Sequence, residues 1–178
     1  SNLLSVSGCD SIITTNLTHI DVELPGVTAS GPLTFCAGGS VILTSSSAAS
    51  YQWIKNGVPI PGATGQSYTA NKSGNYKVRV PTACGDRTSL STIVVKNDPP
   101  VVSISPSGLV NICAKDNLLL TATVAGNISV TYQWYRNNIL IVGASSSAYL
   151  VTQSGKYKVK VTNTQTSCEK FSAKVEVI

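Results

Sequence analysis

The chain writes one passage twice. Residues 50–68 read "SYQWIKNGVPIPGATGQSY" and residues 131–149 read "TYQWYRNNILIVGASSSAY". The agreement extends outward: "VTASGPLTFCAGGSVILT" at 27–44 matches "VSISPSGLVNICAKDNLLLT" at 102–121, and "SGNYKVRV" at 73–80 matches "SGKYKVKV" at 154–161. From Trp53 to Tyr76 and from Trp134 to Tyr157 the spacing is 23 residues in both copies. Length differences fall before the first Cys, between Cys and Trp, and between Tyr and the second Cys, where loops absorb them. A repeat of this length means one structural unit built two times. The copies occupy 24–97 and 98–178, and "KNDPP" at 96–100 joins them. Its two prolines cannot donate to a ladder and hold the backbone extended, so the connection is expected to be short and stiff.

The period inside each unit is two. "VILT" at 41–44, "YKVRV" at 76–80, "YKVKV" at 157–161 and "AKVEVI" at 173–178 alternate or are β-branched, while Gly, Asn, Pro and Ser punctuate the gaps. Short strands dominate, and no stretch of helical period follows a cap. The expected fold class is all-β, with two tandem sandwiches of sheets packed face to face. Units of roughly 75 to 80 residues bury a modest core, which covalent ties often supplement. Five cysteines fit that need. Charged residues make up only 12% of the chain and Met is absent, a composition that suits an extracellular sandwich better than a cytosolic enzyme.

Several function classes lack support. The net charge of +5 comes from 13 Lys and Arg scattered singly against 8 acids, without the clustering that nucleic-acid binding requires. No run approaches the roughly 20 apolar residues of a membrane helix. His19 and Asp21 stand close in sequence, yet residues two apart on a strand do not set a base against a nucleophile, and no G-x-S-x-G elbow is present. The acids Asp10, Asp21, Glu23, Asp86, Asp98, Asp116, Glu169 and Glu176 are dispersed, with no calcium-loop spacing. Successive cysteines lie 27, 48, 29 and 55 residues apart, which is unlike the close pairs of zinc sites. Neither a catalytic residue nor a cofactor or metal is expected.

A Trp in "YQW", a turn such as "KNG" and then "SGxY" before an alternating strand resemble strand C and the tyrosine corner of immunoglobulin-like sandwiches. Over residues 25–178 the whole pattern, "FCAGGSVxLT…YQWxKNGVPIPGAT…SGNYxVxV…C", resembles the tandem Ig-like modules of large secreted and surface proteins of Bacteroidetes. Residues 1–23, with "SGCDSIITTNLTHID", look like the last strand of a preceding module, so the sequence reads as part of a longer array. The resemblance implies a non-catalytic spacer or presentation module, secreted or at the cell surface, with neighbouring domains of the same polypeptide as its partners. The alternative is adhesion, or binding of a polysaccharide or cell-surface protein. Trp53, Trp134, Tyr76 and Tyr157 are the expected core, beside Val41, Leu43 and Val78 in one unit and Leu118, Leu120 and Val159 in the other.

The cysteines depart from antibody-type domains, whose mid-strand positions correspond here to Ser45 and Val78, and to Ala122 and Val159. Cys36 and Cys113 precede strand B, and Cys84 and Cys168 lie at the turn from F to G. One pair per repeat suggests Cys36 with Cys84 and Cys113 with Cys168, each closing a loop of about 50 residues and worth ~4 kcal/mol in the chain-entropy model. In a strict Ig topology those positions lie at opposite ends of the sandwich, beyond the ~7 Å limit for a bridge. The strand layout then differs, or the bonds run between modules, or the thiols stay free. Cys9 is left unpaired, its partner expected in a preceding module.

Strand parity defines a candidate ligand face. If Trp134 points inward, Gln133 and Tyr135 point outward, and Lys158 and Lys160 share that face on strand F. The first copy has Gln52, Ile54, Lys77 and Arg79 there. Such a basic, partly aromatic strip fits an acidic glycan or protein; equally, alternating lysines keep a sheet face soluble and guard it against edge pairing. Asn16, Asn71 and Asn127 match N-x-S/T, which normally carries nothing in a bacterial protein. Asp10-Ser11-Ile12 resembles the short Bacteroidetes O-glycosylation sequence.

Overall fold

A computed structural model describes residues 23–113 and 116–178, together with two paired two-residue strands, β1 (Leu3–Leu4) and β2 (Asp10–Ser11). Cys9, Asn16, His19 and Asp21 lie outside the described residues, as does most of the expected remnant at 1–23. The first unit contains β3 (Val27–Ala29), β4 (Thr34–Cys36), β5 (Val41–Ser45), β6 (Gln52–Lys55), β7 (Val58–Pro59), β8 (Ser67–Ala70), β9 (Gly74–Val80), β10 (Arg87–Thr88) and β11 (Thr92–Asn97). The second contains β12 (Val102–Ser105), β13 (Gly108–Val110), β14 (Leu118–Val124), β15 (Val130–Arg136), β16 (Ile139–Leu140), β17 (Ala148–Val151), β18 (Gly155–Asn163), β19 (Glu169–Phe171) and β20 (Val175–Val177).

The two units have the same topology. One sheet runs β3-β5-β8 and the other β4-β11-β9-β6-β7; the second unit repeats this as β12-β14-β17 and β13-β20-β18-β15-β16. In Ig lettering these are sheets A-B-E and A′-G-F-C-C′, with A′ parallel to G. The chain is two tandem immunoglobulin-like sandwiches. Each G strand is broken around a buried serine: Ser89 Oγ accepts from the Val78 amide at 3.0 Å and donates to the Leu90 carbonyl at 2.9 Å. Ser172 does the same with Val159 and Ala173 at 3.1 and 2.8 Å.

Each sandwich encloses its own core. Trp53 is fully buried with Val41, Leu43, Ala70, Tyr76, Val78, Val80 and Val94. Trp134 is fully buried with Leu120, Val151, Tyr157, Val159, Val161, Val175 and Val177, with Leu118 half-buried at the margin. A buried indole needs a partner for its N–H. Trp53 Nε1 donates to the Gly65 carbonyl at 3.0 Å, and Trp134 Nε1 donates to that of Ser146 at 2.9 Å. Both tyrosines form the corner that their motif implied: Tyr76 Oη donates to the Lys72 carbonyl at 2.9 Å and Tyr157 Oη to that of Gln153 at 2.6 Å.

The motif residues have local causes. Asn56 and Gly57 have φ of 50° and 83°, the left-handed pair that a two-residue hairpin turn requires, and Asn137 and Asn138 repeat it at 49° and 68°. The first Asn also ties the turn to strand F: Asn56 Oδ1 accepts from the Asn75 amide at 2.8 Å, and Asn137 Oδ1 accepts from that of Lys156 at 2.9 Å. The glycine of "SGxY" passes beneath this turn. At Gly155, with φ +152°, a Cβ would lie 3.0 Å from Arg136 Nε and 3.2 Å from Asn137 Oδ1, so a side chain would be both strained and crowded.

Candidate functional site

Gln133 and Tyr135 on β15 and Lys158 and Lys160 on β18 lie opposite one another in the ladder, and each is engaged within the fold. Gln133 lies opposite Lys160 and Tyr135 opposite Lys158. Gln133 Nε2 donates to the Trp134 and Ile141 carbonyls at 3.1 and 2.8 Å. Gln52 makes the same two bonds, to Trp53 and Ile60, both at 2.9 Å. This amide secures the crossing from C to C′ in each unit, which accounts for its presence in both copies without a ligand.

Strand β19 supplies what the sequence reading missed. Phe171 stands edge-on to Tyr135, with ring centroids 5.3 Å apart and planes at 71°. Lys158 Nζ lies 4.3 Å from the Phe171 centroid and 5.7 Å from that of Tyr135, a cation held over two rings. Lys160 Nζ is 3.0 Å from Glu169 Oε2, and that hydrogen bond and its charge hold the ammonium pKa above the ordinary lysine value. The face is therefore a small aromatic platform crossed by two cations, one of them neutralised within the fold. The first unit has Ile54 where Tyr135 stands and Thr88 where Phe171 stands, with an Arg79–Asp86 pair at 3.6 Å. The platform belongs to the second unit alone. Its only sequence signal was the Phe two residues after Glu169, and β19 is exposed along its whole length, so no alternation marks it.

The cysteines are arranged otherwise than expected. Cys36 and Cys168 form a disulfide across 132 residues, with S–S 2.07 Å and Cα–Cα 5.5 Å. The within-repeat pairing of Cys36 with Cys84 and Cys113 with Cys168 is thereby corrected. Cys36 pairs with Asn97, past the start of β9, whereas Cys84 follows the other end of that strand. Seven residues at about 3.3 Å each separate the two positions, several times the reach of a bridge. Of the alternatives, a bond between modules is the one realised. Cys84 and Cys113 are free and exposed.

The bond sits at the joint. Only four residues, Asp98 to Val101, separate β11 from β12, and Pro100 among them is buried. The Asn97 carbonyl accepts from the Ala37 amide at 2.8 Å, and Cys168 Sγ lies 3.9 Å from the same oxygen. Backbone link and disulfide thus meet at one residue.

Chemistry-bearing groups are sparse elsewhere. Among the described residues, no three His, Cys, Asp or Glu side chains gather as a metal site would need. Among the described residues, no helix is long and apolar enough to cross a membrane.

No known family model matches the sequence, and neither does any curated protein sequence. Solved structures do resemble it. The three N-terminal domains of the bacteriophage RB49 highly immunogenic outer capsid protein are 19% identical over 86% of this chain and 58% of theirs, with a TM-score of 0.41. The titin I-band fragment I67–I69 is 18% identical over 88% of this chain and 66% of the fragment, with a TM-score of 0.44. The N-terminal four Ig domains of Dscam1 isoform 4.4 are 17% identical over 97% of this chain and 51% of theirs, with a TM-score of 0.36. The chain spans less than two thirds of each. At these values the fold assignment rests on strand order and register.

Proposed function

We propose that this pair of sandwiches is a non-catalytic spacer and presentation module in a secreted or cell-surface multidomain protein of the kind found in Bacteroidetes. The observation that carries the reading is the joint: a four-residue link and a disulfide meeting at Asn97. Two covalent ties at one point oppose bending and twisting, which is what a strut must resist and what a catalytic or freely hinged pair does not need. The disulfide also favours an oxidising compartment. The partners of a strut are the neighbouring domains of its own polypeptide.

Small-angle scattering tests this. A single compact body of this length has a radius of gyration of about 16 Å. The oxidised chain should exceed that clearly and fit one extended form, and reducing the Cys36–Cys168 bond should broaden the distance distribution. A compact or mobile oxidised pair overturns the spacer reading.

One observation favours a second role in the same module: the Tyr135–Phe171–Lys158 platform, absent from the first unit, suits the face of a sugar ring bearing acidic groups. Retention on acidic polysaccharide resins that falls in Tyr135→Ala supports it. Equal retention of parent and variant removes it.

A further inference from the structure

The disulfide joins two kinds of position, and each kind occurs twice among the described residues. Cys36 ends strand A′ of the first unit. Its counterpart is Cys113, as three features show. The Val95 amide donates to the Leu33 carbonyl at 2.8 Å and the Ile178 amide to that of Val110 at 3.1 Å, three residues before each cysteine. Phe35 and Ile112, the residues just before, both pack on their own cores. The Gly39 amide returns to the Cys36 carbonyl at 2.9 Å and the Asp116 amide to that of Cys113 at 3.0 Å, closing the same turn.

Cys168 lies in the turn from F to G of the second unit, and its counterpart is Cys84. The amide of each is held by the threonine two residues earlier: Cys84 donates to Thr82 Oγ1 at 3.3 Å, and Cys168 donates to Thr166 Oγ1 at 3.4 Å. Beyond each comes an acid paired with a cation of strand F, Asp86 with Arg79 and Glu169 with Lys160. Next comes the buried serine of the broken G strand.

The observed bond therefore obeys a rule: the A′ cysteine of one module joins the F–G cysteine of the module after it. The two other described cysteines, Cys84 and Cys113, fit the rule as unused halves. Cys84 is an F–G cysteine awaiting a preceding A′ partner, and Cys113 is an A′ cysteine awaiting a following F–G partner. They sit at opposite ends of the pair, because Cys84 lies beyond the end of the first sandwich away from the joint and Cys113 beyond the far end of the second. Both are exposed.

We propose that Cys84 and Cys113 are the two halves of this same inter-module staple, and that each end of the pair is a docking surface for a further module of this repeat, joined head to tail. The occupant is specified by chemistry: an Ig-like module that presents the complementary cysteine in the same turn. A second copy of this chain supplies both halves, so the contact is heterologous and does not close on itself, and it propagates as an open array. Bond formation needs an oxidant, here a small disulfide such as oxidised glutathione. The Cys113 thiolate attacks it, forming a mixed disulfide and releasing one glutathione thiolate. The Cys84 thiolate of the next module then attacks the Cys113 sulfur, forming Cys113–Cys84 and releasing the second. Two protein thiols are oxidised and one glutathione disulfide is reduced to two thiols. The inference stands on the repeat and the observed bond, whatever the array carries.

The test uses the full chain with Cys9 replaced by Ser. Cys84→Ser and Cys113→Ser variants, one isotope-labelled, are mixed in equal amounts at high concentration in a glutathione redox buffer. Intact-mass spectrometry then counts the dimers, and peptide mapping verifies that Cys36–Cys168 is retained. Random pairing of exposed thiols gives as many heterodimers as both homodimers together. The staple predicts Cys113–Cys84 heterodimers in about tenfold excess over either homodimer, and trimers and longer chains only from the form that keeps both cysteines. A statistical mixture, a predominance of Cys84–Cys84 or Cys113–Cys113, or no dimer at all overturns the proposal.

Discussion

At the scale of single residues, the corner tyrosines carry the clearest measurable consequence. Burial pushes the phenol of Tyr157 above its ordinary value of 10.0; the Arg136 charge pulls the other way, and Tyr149 adds to the rise. Tyr76 is raised first by burial and next by Tyr68. As the pH passes 10.0, the unfolded chain releases these protons before the folded one does. The folded state then holds more protons, so stability is fully present below that pH and declines above it. Tyr157→Phe keeps the ring and removes the hydroxyl. It should cost about 1 kcal/mol at neutral pH through the lost bond to Gln153. Denaturant titrations repeated under alkaline conditions should find a smaller further loss in the variant than in the parent. An equal loss in both would assign the alkaline slope to other groups.

At the scale of elements, the C–C′ hairpin can be tested by its second turn residue. Asn138 has φ 68°, whereas the first unit places Gly57 at 83° in the equivalent position. Asn tolerates this region and a β-branched residue does not. Asn138→Gly should therefore be neutral or slightly stabilising, and Asn138→Val should cost about 1–2 kcal/mol, measured by thermal melts of the second sandwich. A harmless valine would mean that the turn relaxes out of the left-handed pair. This hairpin also shows why so much of the fold was legible. Asn-Gly, "SGxY" and the alternating runs are local patterns whose causes lie within a few residues, in backbone angle and side-chain parity. The disulfide is different in kind. Pairing cysteines by repeat counts them without placing them, and the pairing depends on which ends of two sandwiches meet. The platform on β19 escaped for a similar reason: Phe171 acquires its role from Tyr135 and Lys158 on other strands. Parity speaks only of which side of a strand a lysine leaves, and Glu169 and the two rings that occupy Lys160 and Lys158 come from other strands.

At the scale of the whole molecule, the question is whether two cores joined at one point behave as one cooperative unit. The two clusters of buried residues share no member, and the covalent path between them is the link from Asp98 to Val101 and the Cys36–Cys168 bond. A tether transmits position, not packing. When the second sandwich unfolds, the disulfide still holds its chain near the first, yet the contacts around Trp53 are untouched. Trp134→Ala removes a fully buried indole and its bond to Ser146, and should cost about 3–5 kcal/mol through lost contacts and the cavity left behind. For a domain of this size, that shift corresponds to at least about 12 °C in its melting transition. Calorimetry of the variant should show the second sandwich melting well below the first, with the first nearly where it stands in the parent, and reduction of the disulfide should leave that separation in place. Equal loss in both sandwiches would mean that the joint transmits unfolding. In that case the staple would act as more than a strut, and an array built from it would fail as a unit instead of one module at a time.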